Sequence, residues 1–309
     1  MPLHIETPLL HSRPLGLLSK KSIKLKFEAL QPSGSFKIRG IGVVCEDYAR
    51  QGKRRFVSSS GGNAGIAVAY AGRQLSIPVT VVVPETTTTE AKALIEQEGA
   101  SVIVHGASWD EANVVAQSML DFATAFVHPF DDARLWAGHA TLIDEVVQAN
   151  ASFDVVVLSV GGGGLLSGIV EGLRRNGLYN VPVIAIETEG ADSLARSVNA
   201  GHRIELKVIS SIATTLGAKS VCENAFDLTR THDVRCAVVS DLEALEACQR
   251  FLEDHRVLVE PACGASLASI YSEGRNLLAE FEAPLVVVCG GATATLQQIV
   301  EWHRKARGS

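Results

Sequence analysis

Short apolar runs rich in valine and isoleucine recur along the chain, and after each comes a longer segment whose apolar residues return at helical spacing. No other feature restricts the fold as tightly, because runs that are apolar at nearly every position need cover on both faces, as in a parallel sheet between helices. The strand-like runs are 23–28, 55–59, 79–84, 101–104, 126–129, 155–160, 181–187, 236–240 and 285–289. Helical spacing fills 65–75, 89–98, 109–122 and 134–148, and a further helix opens at Asp241-Leu242-Glu243-Ala244, where Asp241 is the expected cap and the acids of the first turn suit the helix dipole. The expectation is an α/β chain of the doubly wound type. There is no fixed-period repeat and no linker rich in Gly, Ser or Pro, so a second domain is expected to be inserted rather than appended.

The 309 residues carry 28 Lys and Arg against 34 Asp and Glu, a net charge of −6. Such a chain has no excess cation to release counterions from nucleic acid or to seek an anionic lipid surface, so neither partner is expected. The six cysteines, Cys45, Cys222, Cys236, Cys248, Cys263 and Cys289, contain no Cys-x-x-Cys pair, which argues against zinc-ribbon and thioredoxin-type sites. Free thiols in apolar segments fit a reducing compartment. The first residues, Met1-Pro2-Leu3-His4-Ile5-Glu6, lack the basic start and apolar stretch of a signal peptide, and no apolar run reaches the roughly 18 residues of a membrane span. A soluble, cytoplasmic protein is expected.

Three small-residue loops carry chemistry. Ser33-Gly34-Ser35-Phe36-Lys37-Ile38-Arg39-Gly40 delivers a lysine to the start of a helix. The positive end of the helix dipole opposes an ammonium there and favours the neutral amine of Schiff-base chemistry; an exposed lysine on a first turn is the plainer alternative. Ser58-Ser59-Ser60-Gly61-Gly62-Asn63-Ala64-Gly65 joins a strand to a helix and suits a carboxylate or phosphate, with an ordinary βα turn as the alternative. Gly161-Gly162-Gly163-Gly164 follows a strand and lets a ligand approach bare main chain. A dinucleotide site would also use Glu187 at the end of the next strand, but the third glycine of Gly-x-Gly-x-x-Gly falls on Leu166 or Ser167, so a monophosphate cup fits better.

Five segments in order, Gln31 to Gly40, Ser60 to Gly65, Ser159-Val160-Gly161-Gly162-Gly163-Gly164-Leu165-Leu166, Val259-Glu260-Pro261-Ala262-Cys263-Gly264-Ala265 and Val288-Cys289-Gly290-Gly291, span nearly the whole chain. Together they resemble the fold type II enzymes that use pyridoxal phosphate, and within them the L-serine and L-threonine dehydratase branch with its dehydratase-like relatives. The resemblance implies two open, mostly parallel doubly wound sheets of the tryptophan synthase β type. It implies a larger cofactor-binding domain, 1–42 with 133–309, and a smaller mobile domain, 43–132, closing over substrate.

By the same resemblance Lys37 carries pyridoxal phosphate and removes the Cα proton as general base. Gly161, Gly162, Gly163 and Gly164 hold the phosphate, Asn63 bonds the ring 3′ oxygen, Phe36 packs on the ring, and Ser60, Gly61, Asn63 and Ala64 take the substrate carboxylate. Cys289 meets the ring nitrogen where cysteine synthases, threonine deaminases and serine racemases have serine; neither group protonates the ring as an aspartate does, which favours elimination. L-Serine would give pyruvate and ammonia, and L-threonine 2-oxobutyrate; β-replacement, racemisation or another β-hydroxy amino acid are the alternatives. Glu187 matches a carboxylate that helps bind a monovalent cation such as K+, with carbonyls of Gly161, Ala191, Leu216 and Ala218. A homodimer is implied as well. Three departures bear on substrate: Ala292-Thr293-Ala294 where many relatives have Ser or Asn, Thr215 where a smaller residue commonly backs the ring, and Gly61 in place of an alanine found in some members.

Overall fold

The computed structural model describes residues 1–307 except Glu273 and Arg275. The chain runs β1 (Leu9–His11), α1 (Arg13–Ser19), β2 (Lys24–Lys26) and α2 (Lys37–Arg50), then β3 (Arg55–Ser58), α3 (Asn63–Leu75), β4 (Val79–Val83), α4 (Thr89–Gln97), β5 (Ser101–Val104), α5 (Trp109–Ser118) and β6 (Thr124–Phe126). It continues through α6 (Ala133–Gln148), β7 (Val155–Ser159), α7 (Gly164–Arg175), β8 (Val183–Thr188), α8 (Ser193–Ala200), α9 (Glu223–Thr231) and β9 (Val234–Val239). α10 (Asp241–His255), α11 (Pro261–Tyr271), β10 (Pro284–Val287) and α12 (Leu296–Ala306) complete it.

Two sheets result, one ordered β1-β2-β10-β7-β8-β9 and the other β5-β4-β3-β6. All pairs are parallel except β1 with β2. Every residue of β7 and β8 is buried, as strands covered on both faces require. The larger apolar core lies about the first sheet. The smaller core lies about the second and takes in Ile38 and Ile41 of α2 and Leu135 of α6. Functional loops of open α/β sheets gather beyond the carboxyl ends of strands where the order reverses. Here those ends present residues 59–62 after β3, 128–131 after β6, 160–163 after β7 and 288–291 after β10.

Glycines let the helices that carry these loops approach closely. A Cβ on Gly40 of α2 would stand 2.5 Å from the Leu135 carbonyl oxygen, and one on Gly138 of α6 would stand 2.5 Å from that of Arg39. α2 is thereby seated against α6 with no side chain between their backbones.

Some boundaries differ from the sequence expectation. The strand expected over 126–129 is β6, which ends at Phe126, because His128 Nδ1 accepts from the Asp131 N–H at 2.8 Å and bends the chain into a turn. The helix expected over 109–122 stops at Ser118. Asp241 is not the cap of α10: Ser240 caps it in a reciprocal box with Glu243, while Asp241 turns outward to accept from Ser211 Oγ at 2.6 Å and Ile212 N at 3.0 Å. The six cysteines are free, and five are buried. Among the described residues no helix is long and apolar enough to cross a membrane.

Candidate active site

Lys37 is the first residue of α2, and the turn that delivers it is bonded to the loop after β10. Gly34 adopts φ +75°, which only glycine takes without strain. Ser35 bridges Gly290, Phe36 N donates to the Cys289 carbonyl at 3.0 Å, and Gly291 N donates to the Gly34 carbonyl at 3.2 Å. Main-chain bonds thus set the Lys37 amine beside the Cys289 thiol although 252 positions separate them in the sequence. Lys37 Nζ donates to the Pro129 carbonyl at 2.6 Å and stands 5.2 Å from the centre of the Phe36 ring. Burial lowers its pKa to about 8, opposed by the field of Cys289, Cys222 and Glu260. About a tenth of the amine is therefore neutral at pH 7.

Gly161 to Gly164 lead from β7 into α7, with Gly163 at φ +90° as the residue before the helix. A Cβ on Gly162 would fall 2.2 Å from the Phe130 ring, and one on Gly163 would fall 2.4 Å from Ala225 Cβ. The loop is wedged so tightly that only bare main chain fits. No backbone carbonyl among the described residues accepts from the N–H groups of Gly161 to Gly164. A run of free amides at a helix start, where the dipole is positive, is a site for a doubly charged anion.

The loop of residues 59–62 faces these elements from the other sheet. Ser59 Oγ donates to Asn113 Oδ1 at 2.9 Å, and Ser60 Oγ accepts weakly from Gly62 N at 3.4 Å. Ser60 and Gly61 are half-buried, whereas Asn63 and Ala64, which open α3, are buried. A Cβ on Gly61 would stand 2.7 Å from the Thr87 side chain, so an alanine there would displace Thr87. Asn63 Nδ2 donates to Glu260 Oε1 at 2.6 Å, while its buried Oδ1 has no partner.

Cys289 is 6% exposed at the end of β10, and its neighbour Cys263 together with burial pushes the thiol well above its usual range, so it stays protonated. Phe36 is held edge-on by His139, ring centres 4.9 Å apart. Glu187 lies one strand over, in β8, where its two oxygens accept from Leu194 N at 2.9 Å and Ala195 N at 2.7 Å and so cap α8. Burial raises its pKa to about 8 even so. Gly161 and Leu216 are in close contact, a Cβ on the glycine falling 3.2 Å from the Leu216 carbonyl oxygen, and Ala218 N donates to that same oxygen at 2.7 Å. Ala191 bridges Thr188 beside Glu187.

The structure therefore links Lys37, Phe36, Asn63, Cys289 and the tetraglycine loop through direct contacts and shared neighbours, Pro129-Phe130 and Glu260 among them, and sets Leu216 against Gly161, with Glu187 and Ala191 in and just after β8. Sequence reasoning missed the 128–131 turn, which supports both Lys37 and the tetraglycine loop, and gave no role to Glu260. Glu260 and Pro261 entered the sequence reading only within the fourth of the matching segments, and in the structure Pro261 is the first residue of α11.

The model of the pyridoxal-phosphate dependent enzyme family matches residues 1–290. The chain is 46% identical to a mouse protein named serine dehydratase-like, over 97% of this chain and 94% of that one. It is 44% identical to human L-serine dehydratase/L-threonine deaminase, over 96% and 94% of the two chains. Among solved structures, an L-serine ammonia-lyase of the fungus Rhizomucor miehei superposes with a TM-score of 0.94 at 35% identity, covering 99% of each chain. The family match over most of the length, on a chain whose lysine, thiol and bare amides are joined by these contacts, means that this chain belongs to the pyridoxal-phosphate dependent enzymes of fold type II.

Proposed function

We propose that the chain is a lyase that dehydrates and deaminates L-serine to pyruvate and ammonia, and that also converts L-threonine to 2-oxobutyrate. The observation that carries this reading is the main-chain pairing that seats the Lys37 amine beside a protonated thiol rather than a carboxylate. The names of the mouse, human and fungal relatives support it.

The residues present fit pyridoxal phosphate. The free amides of Gly161 to Gly164 suit its phosphate, and the second N–H of Asn63 Nδ2, beyond the one given to Glu260, suits its ring oxygen. When bound, the cofactor supplies an electron-withdrawing ring that acidifies the Cα–H of an attached amino acid. Lys37 is the residue that would hold the cofactor covalently, and its amine, with a pKa of about 8, would take the Cα proton. Phe36, backed by neutral His139, packs against the ring. Cys289, an un-ionised thiol, would lie at the ring nitrogen and add no positive charge there, which favours loss of the β-hydroxyl over transamination. Ser60, Gly61, Asn63 and Ala64 receive the substrate carboxylate at the start of α3, where the dipole is positive.

In this reading residues 43–132 form a smaller domain that closes on the larger one, 1–42 with 133–309. Glu187 and the carbonyls of Gly161, Ala191, Leu216 and Ala218 hold a monovalent cation such as K+, and the enzyme works as a cytoplasmic homodimer, as its free cysteines suit. The test is a panel of L-serine, L-threonine, D-serine and L-serine with sulfide, scored for keto acid, racemised serine and cysteine. Keto acid from the first two is expected; racemisation or cysteine formation as the main outcome overturns the assignment. An absorption band at about 410–420 nm, lost in Lys37→Ala, reports the covalent link to Lys37.

A further inference from the structure

Glu260 is 3% exposed, yet among the described residues no Lys, Arg or His bonds to its carboxylate. Its partners are three neutral donors. Asn63 Nδ2 reaches Oε1 at 2.6 Å, Thr215 Oγ1 reaches the same oxygen at 2.7 Å, and Thr293 Oγ1 reaches Oε2 at 2.5 Å.

The donors come from three separate parts of the chain. Asn63 opens α3 and follows β3 of the four-stranded sheet, while Thr215 and Thr293 lie in loops that belong with the six-stranded sheet. Glu260 itself precedes α11 and is tied to the loop after β10, its N–H donating to the Gly290 carbonyl at 3.4 Å. One carboxylate therefore joins the first turn after β3 of the four-stranded sheet to segments of the six-stranded sheet. Thr215 adds a second contact to the same segment, because a Cβ on Gly62 would stand 3.3 Å from Thr215 Cγ2.

We propose that Glu260 is a positioning residue: its carboxylate clasps the first turn of α3 to the loops of the larger sheet, and so sets the distance between the substrate-carboxylate loop Ser60 to Ala64 and the Lys37 amine. The inference rests on the function proposed above for what that loop binds, while the clasp itself does not depend on which amino acid is turned over. Glutamine can replace the clasp, since its oxygen accepts from Asn63 and Thr215 and its amide donates to the Thr293 hydroxyl. Alanine cannot, and valine at 293 removes one donor while keeping the shape.

The test compares Glu260→Ala, Glu260→Gln and Thr293→Val with the parent holoenzyme, by KM and kcat for L-serine and by amide hydrogen exchange with and without cofactor. Loss of the clasp is expected to raise KM in Glu260→Ala about tenfold or more, with a smaller change in kcat. Exchange should quicken by a similar factor in residues 62–66 and stay unchanged in β7 and β8. Thr293→Val should move both readouts the same way by less, and Glu260→Gln should restore both to within about threefold of the parent. The proposal is overturned if exchange quickens equally in β7 and β8, if neither KM nor the exchange of residues 62–66 responds, or if glutamine behaves as alanine does. Should the parent itself fail to turn over L-serine, the functional reading fails, and exchange alone still decides the clasp.

Discussion

Two buried polar clusters flank the first turns of α2, and they are built on opposite plans. On one side Arg39, fully buried, donates to Glu28 at 2.7 and 2.8 Å and to Glu145 at 2.6 and 2.8 Å, while Lys26 bonds Glu145 and donates to the Thr7 carbonyl at 2.6 Å. Two cations meet two carboxylates, so the cluster is closed and balanced. On the other side the Glu260 carboxylate is held by neutral donors alone, and its charge is left to act on Lys37. A balanced cluster fixes where a helix lies. An unbalanced one spends part of its stabilisation on the electrostatics of a neighbouring site.

The sharpest way to break the comparison is Arg39→Met, which strands the buried Glu28 carboxylate, leaves Glu145 with Lys26 alone and should lower the unfolding free energy by about 3–5 kcal/mol in denaturant titrations. Glu260→Gln should cost far less; equal losses would mean that both clusters serve stability alone. Gly163→Ala puts a Cβ at φ +90° into Ala225 and should cost about 1–3 kcal/mol, and it should weaken cofactor retention in dialysis, whereas Gly52→Ala, at φ +82° but with open space around it, should leave retention unchanged.

A third prediction concerns protons. Because burial lowers the Lys37 pKa to about 8, the amine is charged below that pH and nucleophilic above it. Cofactor uptake by apoenzyme should therefore quicken about tenfold per pH unit up to about pH 8 and then level off. Lys37 is faced by Cys289, Cys222 and Glu260, with His128 and His139 also within its field. Removing the one carboxylate in Glu260→Gln should move the midpoint of that profile lower, and an unmoved midpoint would mean that Glu260 acts by shape only. The smallest effect is expected from Cys289→Ser, which exchanges one un-ionised group for another at the position proposed for the ring nitrogen and should leave pyruvate as the main product in a keto-acid assay.

Much of this was legible in the chain. The Val/Ile runs located the strands because a strand buried on both faces has no freedom to be polar, and β7 and β8 are buried at every residue. Lys37 and the tetraglycine loop stood out because their chemistry is local: a lysine at a helix start, and main chain that no side chain could replace. Strand ends were harder to place. The 126–129 run ends in a turn because a histidine nitrogen competes for the backbone, and the α10 cap passed from Asp241 to Ser240 because the aspartate found a partner 29 positions upstream, at Ile212.

By itself the sequence determined the alternation of strands and helices, the amine, and the bare amides that suit a phosphate, since each depends on residues adjacent in the chain. Only the tertiary structure decided that Phe36 bonds Cys289, that Pro129 supports Lys37, and that Asn63, Thr215 and Thr293 share one carboxylate. Those partners lie tens to hundreds of residues apart. A hydrogen bond depends on distance in space, which no local pattern of residue types encodes.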